Sequence, residues 1–237
     1  MKLINLAIIL AAGSGKRFKN KEPKQFLFLK DKPILIYSLE KFEKSNLIDQ
    51  IILVVQKDFL NLSKKLIIDY NLKKAKFLVI GGKERYESVI NTIKFIDFKN
   101  IRVKKVCIHD ASRPFVSIDL IKRVINNLDK NSCCVPAIKS TDTVRYKKIK
   151  KTKVLDREKI YFTQTPQAFY YDDLKKNYFN AIKKNIFKNK NITDDASLFE
   201  LNNCDIKIIN GDYFNIKITK KEDRSLAEYF LNNIKLI

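Results

Sequence analysis

Leu6-Ala7-Ile8-Ile9-Leu10-Ala11-Ala12-Gly13-Ser14-Gly15-Lys16-Arg17 is the stretch on which the fold turns. Leu6 to Leu10 form a short continuous apolar run, the pattern of a strand buried on both faces. Ala11 and Ala12 keep side-chain bulk away from whatever approaches the end of that strand. Gly13 and Gly15 allow a tight turn whose backbone N–H groups come close to a ligand. Lys16 and Arg17 add positive charge at the mouth, and Lys24 follows in Pro23-Lys24-Gln25. The spacing is not that of the P-loop, which ends in Gly-Lys-Ser/Thr, and Phe18 stands where a dinucleotide fingerprint has its third glycine. The chemistry suggested is a cradle for a nucleotide triphosphate. The competing reading is a plain glycine turn between strand and helix.

Outward from this loop, strand and helix patterns alternate almost to the end, which predicts an α/β fold around a largely parallel sheet. Pro33 suits the first turn of a helix, with Leu35, Leu39 and Phe42 at helical spacing behind it. Residues 51–55 and 77–80 read as the second and third strands, and Gly81-Gly82 opens a helix with core face Val89, Ile93 and Ile96. Residues 106–109 form a fourth strand ending at Asp110. A helix through Leu120, Ile121, Val124 and Leu128 leads to a fifth strand at 133–135, with Pro136 marking its end. The rhythm breaks once, at 140–157, where Val144-Arg145-Tyr146 and Lys153-Val154-Leu155 flank a lysine-rich turn. This predicts a projecting β-hairpin arm. Such a hairpin alone is marginal in water, and pairing with a second subunit would cover its edges. A loop at Thr193-Asp194-Asp195, a strand at 206–209, a further strand pattern at 215–219 and a helix with Leu226, Phe230 and Ile234 on one face complete one domain spanning 1–237.

A chain of 237 residues with 45% hydrophobic content suits a single globular domain. No apolar run approaches the roughly 18–20 residues needed to span a bilayer. The chain enters its first strand almost at once, so no secretory signal is expected and the cytoplasm is. Cys107, Cys133, Cys134 and Cys204 show no C-x-x-C spacing, which predicts neither a zinc site nor a disulfide framework. With His109 the only histidine, a Ser-His-Asp triad or His-based metal centre has little support. Any metal should be a hard cation held by carboxylate and phosphate oxygens. The net charge of +22 suits anionic small substrates or nucleic acid. The lysines are spread along the chain rather than interleaved with aromatics. Richness in Ile and Asn alongside Lys makes AT-rich coding the blander source of much of this charge.

Residues 10–17 with Pro23-Lys24-Gln25 resemble the L-A-A-G-x-G-x-R…P-K signature of sugar-type nucleotidyltransferases. Further segments follow in order: Gly81-Gly82-Lys83-Glu84-Arg85 with Ser88-Val89, His109-Asp110-Ala111-Ser112-Arg113-Pro114, Asp142-Thr143, Asp156-Arg157, Gln164-Thr165-Pro166-Gln167, Thr193-Asp194-Asp195-Ala196-Ser197 and Asn215-Ile216-Lys217-Ile218-Thr219. Their ordered co-occurrence resembles the 2-C-methyl-D-erythritol 4-phosphate cytidylyltransferase family over essentially the whole chain. The resemblance implies a Rossmann-like nucleotidyltransferase fold, with a mostly parallel central sheet flanked by helices and a β-hairpin dimerisation arm. It implies transfer of CMP from CTP to a sugar-alcohol phosphate in non-mevalonate isoprenoid precursor biosynthesis. Mg²⁺ or another divalent cation would assist, in a homodimer with no nucleic-acid or membrane partner.

The same resemblance implies residue roles. Arg17, Lys24 and Lys217 would neutralise charge during catalysis, although a lone Lys or Arg is ordinarily a solvated surface charge. Ala11, Ala12, Gly13, Gly15, Gly82, Ser88, Asp110 and Ala111 would bind CTP, with Asp110 also near the metal. Asp110 could equally cap a turn or pair with Arg113. Arg113, Thr143, Arg157, Thr165 and Thr193 would bind the sugar phosphate, Thr143 and Arg157 reaching into the neighbouring subunit's site. Arg157 could instead pair locally with Asp156 or Glu158, and Thr193 could cap a helix over 194–200. His109 reads as structural. Many family members carry Asp where this chain has Lys83. A ribitol-5-phosphate cytidylyltransferase and a basic nucleic-acid-binding module are the rival readings. With nothing after the final helix, a fused cyclisation domain is not expected.

Overall fold

The computed structural model describes residues 2–13, 22–130, 132–149, 151–189 and 192–233. Its strands are β1 (Ile4–Leu10), β2 (Phe28–Leu29), β3 (Lys32–Pro33), β4 (Gln50–Val55), β5 (Ala75–Ile80), β6 (Val103–Asp110), β7 (Ser132–Lys139), β8 (Arg145–Lys148), β9 (Lys151–Val154), β10 (Tyr161–Thr163), β11 (Gln167–Tyr170) and β12 (Asp205–Asn210). The helices are α1 (Ile34–Lys44), α2 (Leu60–Asp69), α3 (Arg85–Phe98), α4 (Ile118–Asn126), α5 (Tyr171–Lys183), α6 (Ile186–Asn189), α7 (Ala196–Glu200) and α8 (Lys221–Asn233).

The apolar run of β1 is continuous because both faces of the sheet are covered. Ala7, Ile9 and Ala11 pack into one core with Leu35, Leu39 and Phe42 of α1, Leu66 of α2 and Ile121 of α4. Leu6 and Ile8 pack into the other with Val89 and Ile93 of α3, Leu174 and Tyr178 of α5 and Phe199 of α7. Parallel partners β4 and β6 flank β1, and β5 lies outside β4. On the far side of β6, β11 runs antiparallel and leads to β7, which β12 joins in parallel. The predicted α/β architecture around a mostly parallel sheet is therefore the one observed. Among the described residues, no helix is long and apolar enough to cross a membrane.

Several local expectations differ from the structure. Pro136 does not end its strand, because β7 continues to Lys139. The carbonyl of Pro136 accepts from Gln164 N, and a strand residue's N and O point the same way, so its missing N–H faces the Gln164-Thr165-Pro166 break between β10 and β11. Two residues more lie between Thr163 and Ala168 than between their partners Ala137 and Cys134. Pro33 sits just before α1 in extended conformation rather than in its first turn. α3 begins at Arg85, beyond Gly81-Gly82, and α7 begins at Ala196. Residues 215–219 form no ladder strand; the segment is held by Ile218 N donating to Ser112 O at 2.8 Å. α2, α5, the small β2–β3 hairpin and the strands β10 and β11, both antiparallel to β7, were not anticipated. Ile234, expected on the face of the final helix, lies outside the described residues.

β8 and β9 form the expected hairpin as a separate two-stranded sheet, every residue of which is exposed.

Candidate active site

The chain runs from β1 outward through β4 and β5, then returns to the other side of β1 at β6. Such reversals, beyond the carboxyl ends of the strands, are where open parallel sheets bind ligands. A cavity of about 600 Å³ lies there. Ala12 and Gly13 line it from the loop after β1, Lys24 and Gln25 from the next turn, and Gly82, Lys83, Arg85 and Ser88 from the approach to α3. Asp110 and Ser112 come from the end of β6, and Thr193, Lys217 and Thr219 close the wall.

The first loop is held by side-chain amides. Gln25 donates from Nε2 to the carbonyls of Ala11 and Gly13, and Gln56 donates to Ala12 O at 3.0 Å. Among the described residues, a Cβ added at Gly13 would meet no atom within 4 Å, and Gly13 lines the cavity. Gly81 is different: a Cβ there would lie 2.3 Å from the Ala12 Cβ, so only glycine lets these two loops touch. The Ser88 hydroxyl accepts from Gly82 N at 3.1 Å and donates to Glu84 O at 3.3 Å, shaping the loop from within. Glu87 accepts from the N–H groups of Lys83 and Glu84 at 2.6 and 3.1 Å, which fixes the backbone of Lys83 at the cavity wall.

Asp110 is the electrostatic centre. Its Oδ2 accepts from Lys217 Nζ at 2.6 Å and lies 4.0 Å from Arg113 Nε, while Oδ1 lies 3.6 Å from Arg85 Nε. Burial pushes its pKa up, but Lys217, Arg85 and Arg113 together outweigh burial and hold the carboxyl well below the usual carboxylate range. Arg85 reaches on to Asp195 at 2.6 Å, and Asp195 is fully buried and accepts from Tyr178 OH at 2.5 Å. Burial opposes the Arg85 charge, yet Asp195 and Asp110 raise its pKa above the ordinary arginine value.

A neutral relay supports this centre. His109 Nε2 lies 3.2 Å from Arg113 O, which can only accept, so the proton sits on Nε2 and Nδ1 accepts from the Thr165 hydroxyl at 3.1 Å. Thr165 Oγ1 in turn accepts from Asp110 N at 3.1 Å. Burial lowers the His109 pKa to about 4, consistent with a neutral ring. Arg113 donates to Asn215 O at 2.8 Å, and Asn215 donates to Thr165 O at 2.8 Å. These bonds carry the 215–219 segment across the site and set Lys217 against Asp110.

Lys24, Lys217, Ala12, Gly13, Gly82, Ser88, Asp110 and Thr193 thus share one cavity wall. Ala11 and Ala111 are buried just behind it, and Arg113 and Thr165 brace it from the side. The helix-capping part given to Thr193 falls instead to Asp194, whose carboxylate accepts from Ser197 N at 3.1 Å. Thr143 and Arg157 flank the hairpin and do not line the cavity; Arg157 donates to Thr141 O at 3.2 Å and lies 3.9 Å from Glu158, the local pairing. Arg17 and Gly15 lie outside the described residues. Arg85, Asp195 and Gln25 were missed as site residues. Each stands inside a quoted motif, but only tertiary contact shows its partner.

The sequence matches the family model for 2-C-methyl-D-erythritol 4-phosphate cytidylyltransferase over residues 5–233. A relative of that name from Clostridium acetobutylicum is 38% identical over 96% of this chain and 97% of its own. Another, from Lachnoclostridium phytofermentans, is 39% identical over 95% of each. Among solved structures, 4-diphosphocytidyl-2C-methyl-D-erythritol synthase from Anaerococcus prevotii superposes with a TM-score of 0.82 at 30% identity, covering 97% of this chain and 96% of that one. A Francisella tularensis 2-C-methyl-D-erythritol 4-phosphate cytidylyltransferase gives 0.78 at 30% identity, over 95% and 99%. By sequence and by fold, the chain belongs to the 2-C-methyl-D-erythritol 4-phosphate cytidylyltransferase family.

Proposed function

We propose that the cavity binds CTP and 2-C-methyl-D-erythritol 4-phosphate, and that the chain transfers CMP to the sugar-alcohol phosphate as a cytoplasmic homodimer. The observation that carries this reading is the convergence of Gly13, Lys24, Gly82, Asp110 and Lys217, widely separated in sequence, on one cavity. A substrate phosphate oxygen attacks the α-phosphorus of CTP, a new P–O bond forms, and the bond to the β-phosphate oxygen breaks to release pyrophosphate. The attacking phosphate is already largely anionic at neutral pH, because its second pKa is about 6, so no general base is required. The work left to the protein is to align two anions and to neutralise charge at the α-phosphate. Lys24 and Lys217, which line the same cavity, do this, and Asp110 orients Lys217 by the 2.6 Å ion pair.

Among the described residues there is no cluster of three or more potential metal ligands. One ionised carboxylate facing a polar cavity nonetheless fits magnesium, which commonly takes one or two protein carboxylates and completes its shell with phosphates and water. Asp110 would hold the ion, which when bound supplies further neutralisation of the triphosphate. The four free thiols suit a reducing compartment. The exposed hairpin, with Tyr146 57% and Val154 49% exposed, is the surface a partner subunit would cover.

The ribitol 5-phosphate reading is not favoured, since the matching relatives carry the methylerythritol name. Nor is the nucleic-acid module. The test is pyrophosphate release with CTP, ATP and GTP, offering both sugar phosphates in parallel. CTP with the methylerythritol phosphate should give the largest kcat/KM. Equal or faster turnover of ribitol 5-phosphate overturns the substrate assignment.

A further inference from the structure

The carbonyls of Ala11, Ala12 and Gly13 are three consecutive backbone acceptors at the edge of a cavity proposed to hold a triphosphate. An acceptor left without a donor there would turn its negative end toward any anion that enters. Each of the three is instead capped by an amide: Ala11 O and Gly13 O by the single Nε2 of Gln25, and Ala12 O by Nε2 of Gln56 at 3.0 Å. Gln25 is 3% exposed, so its amide is desolvated and committed to this task. It also directly follows Lys24, and it lies in the Lys24–Phe26 turn, which the Phe26 N to Pro23 O bond at 3.0 Å closes. The Phe26 ring stacks on Phe59 at 4.6 Å between centroids, just beyond Gln56 in the chain. One apolar contact therefore holds the two glutamine-bearing segments together.

We propose that Gln25 and Gln56 are positioning residues that clamp the Ala11–Gly13 loop, keeping its carbonyl dipoles compensated and fixing Lys24 relative to it for CTP. The inference rests on the CTP reading above and adds two residues that touch the loop rather than the nucleotide. Losing the Gln25 amide frees two carbonyls, that of buried Ala11 and that of Gly13 at the cavity, and unties Lys24; losing the Gln56 amide frees one. The expected cost is graded accordingly.

The experiment compares the parent chain with Gln25→Leu, Gln25→Glu and Gln56→Leu, measuring KM for CTP, KM for the sugar phosphate and kcat, with circular dichroism for folding. Gln25→Leu should raise KM for CTP about tenfold and Gln56→Leu about threefold, as expected for two lost hydrogen bonds and one. KM for the sugar phosphate should stay within twofold. Gln25→Glu, whose carboxylate would face two carbonyls and the triphosphate, should be worse than Gln25→Leu. A folded Gln25→Leu with an unchanged KM for CTP, or equal losses for both substrates, overturns the clamp. If Gln25→Leu does not fold, Gln56→Leu decides by the same criteria. A parent chain that turns over no CTP would instead overturn the nucleotide reading and the clamp with it. Normal parent turnover with silent variants overturns the clamp alone.

Discussion

At the scale of the residue, the site is built around charges that satisfy one another before any ligand arrives. Asp110 is held by three cations and Asp195 by Arg85 and a tyrosine hydroxyl. Arg85 is thus the bridge between a carboxylate at the cavity and one buried beneath it. Replacing it with Met should leave Asp195 charged and uncompensated, costing about 3–5 kcal/mol of stability in urea unfolding. Adding Asp195→Asn, which keeps an acceptor for Tyr178 while removing the charge, should recover most of that loss without recovering activity. If Arg85→Met unfolds at the parent's urea concentration, the pair is not structural. Lys217→Ala and Lys24→Ala should behave differently, lowering kcat by about 10²–10³ with a smaller rise in KM for CTP. A folded variant retaining near-parent kcat would mark that lysine as ordinary surface charge. That Lys24, Gly82, Asp110 and Lys217 come to one cavity was legible through the family resemblance, whose motifs contain all four. The Arg85–Asp195 pair was not, because no spacing rule relates residues that meet only in the tertiary fold.

At the scale of the element, continuous apolar runs identified β1 and β4, both buried on two faces, to within a residue or two. α4 was equally legible, with its apolar face on one stripe and Ser117 accepting from Leu120 N at 3.0 Å at its start. β7 was cut short because proline reads as a strand end. Its N lies opposite a break in the partner strand, and that break is itself a tertiary fact. The 215–219 segment alternates like a strand, yet its hydrogen bonds go to Ser112, to the turn just before it and to side chains rather than to a ladder. The central strands carry their own reporters. Cys107 of β6 and Cys133 and Cys134 of β7 are buried, and burial pushes the Cys134 thiol up to about 11 and the other two further. A thiol reagent at pH 8 should therefore modify half-buried Cys204 first, and the other three only as urea unfolds the chain. Fast labelling of Cys133 or Cys134 in native buffer, read by peptide mass spectrometry, would show that β7 opens independently of global unfolding.

At the scale of the whole molecule, two features remain exposed after the core is complete: a net charge of +22 and the β8–β9 hairpin. Much of the charge lies far from the cavity, as with Lys64, Lys73 and Lys183, which are exposed on the outer helices and loops. The hairpin is harder to dismiss. It has no core of its own, Ile149 at its turn is 88% exposed, and two-stranded sheets are barely stable alone in water. Arg157 lies at its base, away from the chain's own cavity and paired only loosely with Glu158. If the arm crosses to a partner and brings Arg157 to the partner's substrate phosphate, Arg157→Ala should raise KM for the sugar phosphate and leave CTP binding nearly intact. Arg157→Ala and Lys24→Ala subunits, each impaired at every site as homodimers, should regain activity when mixed. In a mixed dimer one site would combine an intact Lys24 with the neighbour's intact Arg157, so recovery should approach half the parent rate per mixed dimer. Tagged pull-down establishes that subunits have exchanged. Verified mixed dimers no more active than either variant alone would place Arg157 at its own subunit's site or at none, and the hairpin would then need another reason to stand clear of the core.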